Sequence, residues 1–208
     1  MATKGERTRA EIIRRTAELM NRQGFLAAPI AAVIEKTGIQ KGGLYRHFES
    51  REALAYEALE FAVAEVRARF MAALEGRHNA ADRLLAILQA YGDDTPDVPM
   101  AGGCPIMNTA IESDHAHAGL RQRAQAAMAG WHGLLERIVE AGRRASEIRA
   151  GIVAKDVATV FIACIEGGVM LTQLYGDPSH LKTARQHLAA YVERELRGPG
   201  SSRKGESH

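Results

Sequence analysis

The stretch from Thr37 to Phe48, TGIQKGGLYRHF, concentrates side chains that can bind a negatively charged surface. It contains no Asp or Glu, and its two adjacent glycines would let another backbone approach closely. Its amide, ammonium, phenol, guanidinium and imidazole groups can bind phosphate oxygens or the edges of nucleotide bases. We therefore expect a polyanion to be contacted by Gln40, Lys41, Gly42, Gly43, Tyr45, Arg46 and His47.

Two short helices around a glycine turn would position these side chains. The preceding run, 29–36, has apolar residues at helical spacing, and Gly38 lies where that helix would end. Residues 41–48 resume a helical pattern, with Leu44 and Phe48 on one side. Such a pair is a helix-turn-helix, whose second helix enters the major groove of DNA. A plain pair of packed helices would explain the apolar residues equally well, but not two glycines beside so many phosphate-reaching groups.

Composition and charge agree with this interpretation. The chain of 208 residues is 46% apolar and long enough to bury a sizeable core. Ala, Leu, Glu and Arg dominate and alternating strand-like runs are scarce, so we predict an all-α protein. Residues 1–48 carry nine Lys or Arg and four Glu, a formal charge of +5, whereas the whole chain carries +2 and the remainder therefore −3. A basic first unit favours a polyanionic partner, although ordinary solvated helix surface can have the same charge.

Helical periodicity predicts about nine helices. The first should run from about Arg7 to Arg22 and end at Gly24. Pro29 suits the first position of the second helix, which leaves Ala28 as a cap without a side-chain oxygen. After the two short helices, further helices are predicted at about 50–74, 79–91, 104–112, 118–145, 155–175 and 179–197.

The order of several short elements resembles a known protein family. They are Gly24-Phe25, IAAVIEKTGI, KGGLYRHF and the SREAL of residues 50–54. Over roughly fifty residues they are similar to the amino-terminal DNA-binding domain of TetR-family transcriptional regulators. Two positions depart from the family, because Ala28 and Gln40 replace the small hydroxyl residues that usually begin the second and third helices. Gln40 can instead reach a base edge, ideally adenine.

The resemblance implies a homodimer that binds a pseudo-palindromic operator in double-stranded DNA and responds to a small-molecule effector, most often as a repressor. Residues 1–49 would form the helix-turn-helix DNA-binding domain and 50–197 the ligand-binding and dimerisation domain. Residues 198–208 would form a disordered tail. The long helix after Ser50 would span over about 30 Å and link the two domains.

The segment GGCPIMNTAIE, residues 102–112, is similar to the carboxy-terminal domain of one branch of this family. If Pro105 is the first helical residue, Cys104 is the cap, and the N–H groups and dipole there would favour a thiolate. Two interpretations stay open. Cys104 is either a thiol that senses oxidants or electrophiles, or a small packed residue beside Asn108, a helix-helix hydrogen-bonding group. Cys164 lacks such a feature and is expected in the core.

The resemblance also implies a ligand pocket among the later helices. Apolar side chains would line it and a few polar ones would anchor the ligand, while most residues of these types are ordinary core. The predicted ligand-binding residues are Phe70, Cys104, Met107, Asn108, Trp131, Phe161, Glu166 and Met170. Glu166 lies within VFIACIEGGVML and must find a partner, water or a cationic ligand.

The same apolar segment has small and apolar residues at three- and four-residue spacing, which permits close helix packing. Intrachain packing alone could explain this pattern. We favour a dimer interface, because a helix-turn-helix usually binds two half-sites and needs a twofold partner to do so. The predicted interface residues are Val160, Cys164, Gly167, Gly168, Leu171 and Leu174.

Other function classes find little support. We see no phosphate-cradling glycine loop and no nucleophile-base arrangement, so we predict no catalytic residues and no enzyme. The spacing of Glu112, Asp114, His115 and His117 is typical of a polar turn at a helix end, and we predict neither a metal nor a cofactor. Two distant cysteines, no signal sequence and no uninterrupted apolar run of about 18 residues predict a cytoplasmic protein without a membrane segment.

Overall fold

The computed structural model describes residues 3–92 and 100–199. Within them the chain forms nine α-helices and no β-strand, which confirms the all-α class. Residues 93–99 of the predicted loop and 200–208 of the predicted tail lie outside the described residues. The helices are α1 (Lys4–Gln23), α2 (Ile30–Thr37), α3 (Lys41–His47), α4 (Arg51–Leu74), α5 (Ala80–Gln89), α6 (Pro105–Ser113), α7 (Ala118–Arg144), α8 (Ala154–Tyr175) and α9 (Ser179–Tyr191), followed by a π-helical turn (Val192–Leu196).

Helix α1 begins at Lys4 rather than Arg7 because a capping box precedes it. The Glu6 N–H donates to Thr3 Oγ1 at 3.2 Å, and the Thr3 N–H donates to the Glu6 carboxylate at 2.6 Å. The helix ends before Gly24, as predicted. Gly24 has φ 100° and ψ 138°, a backbone conformation that side chains disfavour.

Helix α2 begins one residue later than predicted. Pro29 is its cap rather than its first helical residue, so Ala28 is not the cap, and no side-chain hydrogen bond caps the helix. Its other end agrees with the prediction, because Gly38 adopts the left-handed conformation at φ 72°. The start of α2 must therefore be held by residues from elsewhere in the fold.

The helices assemble into two compact units. Within the described chain, unit 1 comprises residues 3–68 and 100–128, and unit 2 comprises 69–92 and 129–199. Helix α4, which Ser50 caps as predicted, contributes to both units. Helix α6 and the first part of α7 thus belong to the unit that contains the helix-turn-helix. The predicted boundaries at residues 49 and 197 stay a prediction about functional organisation.

Unit 1 is built on one hydrophobic core. Ile12 and Met20 come from the apolar stripe of α1 and are 1% and 0% exposed. Leu44 contributes from α3, Leu54 from α4 and Leu120 from α7. Full burial of a side chain of this size stabilises the fold by about 1.5–3 kcal/mol. The short helix α3 is therefore held by its apolar face and leaves its polar face in solvent.

Unit 2 is built around α8 and its contact with α9. Val157, Phe161 and Ile165 recur at four-residue spacing and are each 1% exposed. Gly168 lets α9 come close, because a Cβ there would lie 3.0 Å from Ala184 Cβ. By length and composition α8 could cross a membrane, but 44% of its apolar window is buried within the chain. A core helix of a globular protein meets the same criterion, so length and composition alone do not indicate a membrane span.

Arg197, near the end of the described chain, forms an ion pair with Asp82 of α5. Its nearly buried guanidinium donates to Asp82 at 2.7 Å and to Glu193 at 2.6 Å. The next residue, Gly198, was expected to begin the disordered tail but is packed, and its N–H donates to the Glu147 carbonyl at 2.8 Å. The ordered part of the chain therefore continues past the predicted boundary.

Candidate DNA-binding surface

Helix α3 divides into an anchoring face and a solvent face. Leu44 and Phe48 are 1% and 4% exposed and pack in the core of unit 1. The predicted contact residues lie on the other faces. Gln40, Lys41, Gly42, Tyr45 and Arg46 are exposed, and Gly43 and His47 are partly exposed. The structure thus brings all seven predicted residues together on one short helix and its cap.

Arg9 of α1 contacts the end of α3, which the sequence analysis did not predict. Its guanidinium lies 4.8 Å from the centre of the Phe48 ring and donates to Glu57 of α4 at 2.6 Å. A cation over an aromatic face is worth about 0.5–1 kcal/mol where it is partly exposed. One side chain therefore links three helices beside the exposed surface of α3.

The two glycines of α3 have different surroundings. A Cβ on Gly43 would lie 2.9 Å from Cγ2 of Ile39, so this glycine lets the turn before α3 pack tightly. Gly42 has open space where its Cβ would be, with no atom within 4 Å. Packing does not require a glycine there, although glycine costs about 0.5–1 kcal/mol in a helix. The absence of a side chain leaves the outer surface of α3 open to close approach.

Several basic residues of unit 1 are paired with acidic ones. Arg14 and Arg15 both donate to Glu11, and these hydrogen bonds lower the pKa of Glu11 to about 2. Lys36 lies 3.7 Å from the Glu18 carboxylate. Among the described residues, Lys41 and Arg46 have no carboxylate within ion-pair distance. Lys41 and Arg46 are therefore available to bind an external anion.

The turn between α1 and α2, residues 24–28, is bound by two charged side chains that the sequence analysis did not assign to this site. Arg51, at the start of α4, donates to three carbonyl oxygens of the turn, those of Phe25, Leu26 and Ala28, at 3.1, 2.6 and 2.7 Å. Glu112 of α6 accepts two N–H groups of the turn, from Leu26 at 2.9 Å and Ala27 at 2.8 Å. The signal in the sequence was the turn itself, GFLAA, which has no polar side chain to bind its own backbone.

The segment 102–112 lies against α1 in unit 1. Cys104 caps α6 as predicted, is 3% exposed, and its Sγ accepts the Met107 N–H at 3.5 Å. The Asn108 amide donates to both oxygens of Asn21, each at 3.2 Å, and to the Gly102 carbonyl at 2.8 Å. Asn108 therefore binds α1, the helix that precedes the helix-turn-helix.

Of the four residues considered for a metal site, Asp114 and His115 lie 3.5 Å apart, while Glu112 and His117 bind residues outside the group. Glu112 binds the α1–α2 turn, and Asp114 lies 3.7 Å from Arg121. His117 caps α7 by accepting the Leu120 N–H. In the described parts of the chain, no three His, Cys, Asp or Glu side chains are grouped as metal ligands.

Comparison with known proteins identifies the family. Residues 12–58 match the family described as bacterial regulatory proteins, tetR family, and residues 80–188 match the tetracyclin repressor-like carboxy-terminal domain. The second match alone covers more than half of the chain. This chain belongs to the TetR family of transcriptional regulators. It is therefore a DNA-binding regulator, and proteins of this family are transcription factors rather than enzymes.

Individual TetR relatives match over most of their length. The chain is 28% identical to the HTH-type transcriptional regulator LmrA of Bacillus subtilis over 167 residues, which are 79% of this chain and 86% of LmrA. A TetR transcriptional regulator from Chloroflexus aurantiacus is 37% identical, with a TM-score of 0.88 over 94% of this chain and 98% of its own. A regulator from Saccharomonospora viridis in complex with choline is 20% identical, with a TM-score of 0.77 over 92% and 98% of the two chains, and shows the fold alone.

The predicted ligand-binding residues fall in both units of this TetR-family chain. Cys104, Met107 and Asn108 are in unit 1, and the hydrogen bonds of the Asn108 amide to Asn21 and Gly102 occupy its donors. In unit 2, the rings of Phe70 and Trp131 stack with centroids 5.8 Å apart, and Tyr91, which was not predicted, lies 5.4 Å from Phe70. Phe161 and Glu166 are buried, whereas Met170 is 47% exposed.

The predicted interface residues form most of one stripe on α8. Val160 and Leu174 are 48% and 69% exposed, and Cys164, Gly167 and Leu171 are partly exposed between them. Burial raises the pKa of the Cys164 thiol. Gly168 differs from the others, because it is buried in the contact with α9 of the same chain.

Proposed function

We propose that this chain is a cytoplasmic, ligand-responsive repressor that binds a pseudo-palindromic operator as a homodimer. The observation that carries the proposal is the exposed face of α3, where Lys41 and Arg46 have no carboxylate partner among the described residues while Leu44 and Phe48 anchor the helix. A helix of this kind, held by one side and cationic on the other, fits the major groove of DNA.

The polar residues of α3 divide into two roles. Lys41, Tyr45 and His47 would bind phosphates, which positions the protein without reading the sequence. Gln40, Gly43 and Arg46 would lie at base edges, where an amide favours adenine and a guanidinium favours guanine. The operator preference of this protein would then depend chiefly on Gln40 and Arg46.

The homodimer follows from the spacing of operator half-sites. Two recognition helices must lie about 34–36 Å apart to enter successive turns of the major groove. The exposed stripe of α8, with Val160 and Leu174 at its ends, offers an apolar face that a second chain can cover. Heptad-like spacing with small residues in the middle favours close helix packing across a twofold axis.

Release from DNA requires an effector that binds one conformation of the dimer more tightly than the other. The Phe70–Trp131 stack and the buried Glu166 support a site for a small organic molecule in unit 2. That the Saccharomonospora viridis neighbour binds choline supports the capacity of this fold for small molecules. Phe161 and Met170 would complete this site in unit 2. The other three predicted residues, Cys104, Met107 and Asn108, lie in unit 1, where the Asn108 amide already binds Asn21 and Gly102.

A gel-shift experiment tests the DNA-binding role. A labelled duplex is first selected by the wild-type protein from a random-sequence pool. Lys41→Ala/Tyr45→Ala should weaken binding about 100-fold, since each lost charged or phosphate-bound group costs about 1.5 kcal/mol. Lys155→Ala removes an equal charge from an exposed site on α8 and should bind as wild type. The proposal is wrong if the double variant, still dimeric, keeps its affinity.

A second candidate is a thiol sensor on the same fold. The observation that favours it is the position of Cys104 at the start of α6, where its Sγ accepts the Met107 N–H. Oxidation would enlarge this buried side chain and disturb α6. Cys104→Ser should preserve DNA binding but abolish its loss on treatment with hydrogen peroxide, while Cys164→Ser should respond as wild type. A Cys104→Ser protein that still releases DNA would exclude this sensor.

A further inference from the structure

The α1–α2 turn has no side chain that can bind its backbone, and its one internal main-chain hydrogen bond, from the Ala28 N–H to the Gly24 carbonyl at 3.0 Å, leaves the Leu26 and Ala27 N–H groups to other partners. Residues 24–28 are Gly, Phe, Leu, Ala and Ala, and the cap of α2, Pro29, provides no side-chain hydrogen bond. Main-chain N–H groups need acceptors, and the cost of leaving one without reaches about 1–3 kcal/mol only where water is excluded. Leu26 is partly exposed and Ala27 is exposed, so water can take part of this role. The position of α2 therefore depends on groups supplied by other elements.

Glu112 of α6 supplies the acceptor. Its Oε1 receives the N–H groups of Leu26 at 2.9 Å and Ala27 at 2.8 Å. Gly24 makes room for it, because a Cβ on that residue would overlap the same carboxylate oxygen. The other oxygen, Oε2, is buried and has no hydrogen-bond partner among the described residues. The contact between Glu112 and the α1–α2 turn is therefore made by Oε1 alone.

Helix α6 holds this carboxylate in a fixed place. The Asn108 amide binds Asn21 near the end of α1, and Asn21 donates in return to the Gly103 carbonyl at 3.0 Å. A Cβ on Gly102 would lie 2.8 Å from the main chain of Asn21, so only glycine permits this approach. Because α6 is fixed to α1 one turn of helix before Glu112, the side chain reaches the α1–α2 turn from a rigid base.

We propose that Glu112 is a positioning residue for operator binding, which rests on the DNA-binding role proposed above. The carboxylate fixes the turn before α2, and Arg51 binds the carbonyls of the same turn. Helix α3 follows α2 through the tight turn at Gly38, so a shift of α2 moves the recognition helix in the groove. The functional DNA-binding unit thus includes α6, although α6 lies far from residues 1–49 in the sequence.

Substitutions at Glu112 distinguish the effect of the position of its oxygen atoms from the effect of its negative charge. Glu112→Gln removes the charge but keeps an oxygen that can accept both N–H groups. Its amide nitrogen would occupy the position of Oε2, which makes no hydrogen bond among the described residues, so the substitution breaks no hydrogen bond there. Glu112→Asp keeps the charge but withdraws the oxygens by about 1.5 Å, the length of one carbon-carbon bond. If the position of the oxygen matters more than the charge, the affinity for DNA should fall in the order Glu, Gln, Asp, Ala at residue 112.

The experiment measures the affinity of each full-length variant for two labelled duplexes, one selected by wild type from a random pool and one unrelated sequence of equal length. Correction for the folded fraction, measured by circular dichroism, removes simple loss of stability. We expect Glu112→Ala to lose about tenfold and Glu112→Asp several-fold on the selected duplex, and Glu112→Gln to stay within about threefold of wild type. Binding to the unrelated duplex should change little, because it depends on charge rather than on groove fit.

Glu140→Ala is the control, because it removes an equal charge from an exposed position on α7. The inference is overturned if the Ala and Asp variants bind the selected duplex as wild type, if Gln is as weak as Ala, or if affinity for the two duplexes falls equally. Should Glu112→Ala not fold, the comparison of Gln with Asp decides by itself. A wild-type protein that selects no sequence would instead overturn the DNA-binding proposal, and this inference with it.

Discussion

The side-chain amide of Asn108 binds both oxygens of Asn21, a residue 87 positions earlier in the chain. The side chain of Asn21 is used in turn, because its own amide donates to the carbonyls of Ala101 and Gly103. The two asparagines thus form one polar network between α1 and the start of α6. Such networks specify a unique arrangement when all their groups are paired.

Asn108→Asp should destabilise unit 1. The substitution keeps the shape of the side chain but replaces a donor with an oxygen that faces three acceptors, two on Asn21 and one on Gly102. We expect the free energy of unfolding to fall by about 1–3 kcal/mol, measured by urea titration. Gln125→Glu makes the same chemical change at an exposed site on α7 and should have little effect. Equal stability of the two variants would contradict this role of Asn108.

Gly42→Ala should separate stability from DNA binding. No atom lies within 4 Å of the added Cβ, so the helix should gain about 0.5–1 kcal/mol in stability. If the DNA backbone approaches α3 at this point, operator affinity should fall about tenfold. Gly130→Ala, at an equally open site on α7, should raise the melting temperature without changing DNA affinity. Unchanged DNA binding by Gly42→Ala would place the DNA elsewhere on the helix.

Leu174→Glu should weaken the dimer. Leu174 is 69% exposed at the end of the α8 stripe, and a carboxylate there would lose its water on association. The matched control is Ile111→Glu, at a position 70% exposed on α6 of unit 1. Sedimentation velocity at several protein concentrations should show more monomer for Leu174→Glu only. Equal amounts of monomer in both variants would show that the stripe is not the interface.

Acid should remove the contribution of Glu11 to stability. Arginine hydrogen bonds lower its pKa from a usual 4.5 to about 2, so the folded state binds this proton less readily than the unfolded state. The contribution is therefore complete above pH 4.5 and lost as the pH falls towards 2. We expect the difference in melting temperature between wild type and Glu11→Gln to shrink over this range at low salt. A difference that is constant from pH 5 to pH 2.5 would show that the carboxylate gains nothing from Arg14 and Arg15.

The sequence predicted the helices closely because their boundaries are local. Gly38 and Ser50 end or begin helices through their own backbone or side-chain oxygen, and both positions were predicted. Cys104 was likewise predicted as the cap of α6. The start of α1 was placed too late, because the capping box of Thr3 and Glu6 was overlooked.

The supports of the recognition helix could not be predicted in the same way. Arg51 and Glu112 bind main-chain atoms. Because every residue has the same main-chain groups, the sequence does not indicate which of them a distant side chain will bind. Asn108 was predicted as a ligand contact or a helix-helix hydrogen-bonding group, and its hydrogen bonds match the second description. The signal that the sequence does contain is the apolar turn at residues 24–28, which has no polar side chain to bind its own amides.

Leu26 and Glu112 are separated by 86 residues, and this distance has a consequence during synthesis. A ribosome makes the chain from its amino terminus, so α1, α2 and α3 exist well before the carboxylate that binds their first turn. Until α6 emerges, the Leu26 and Ala27 amides have only water as a partner, and α2 lacks the support of Glu112. We expect a growing chain to acquire tight DNA binding only after α6 has emerged.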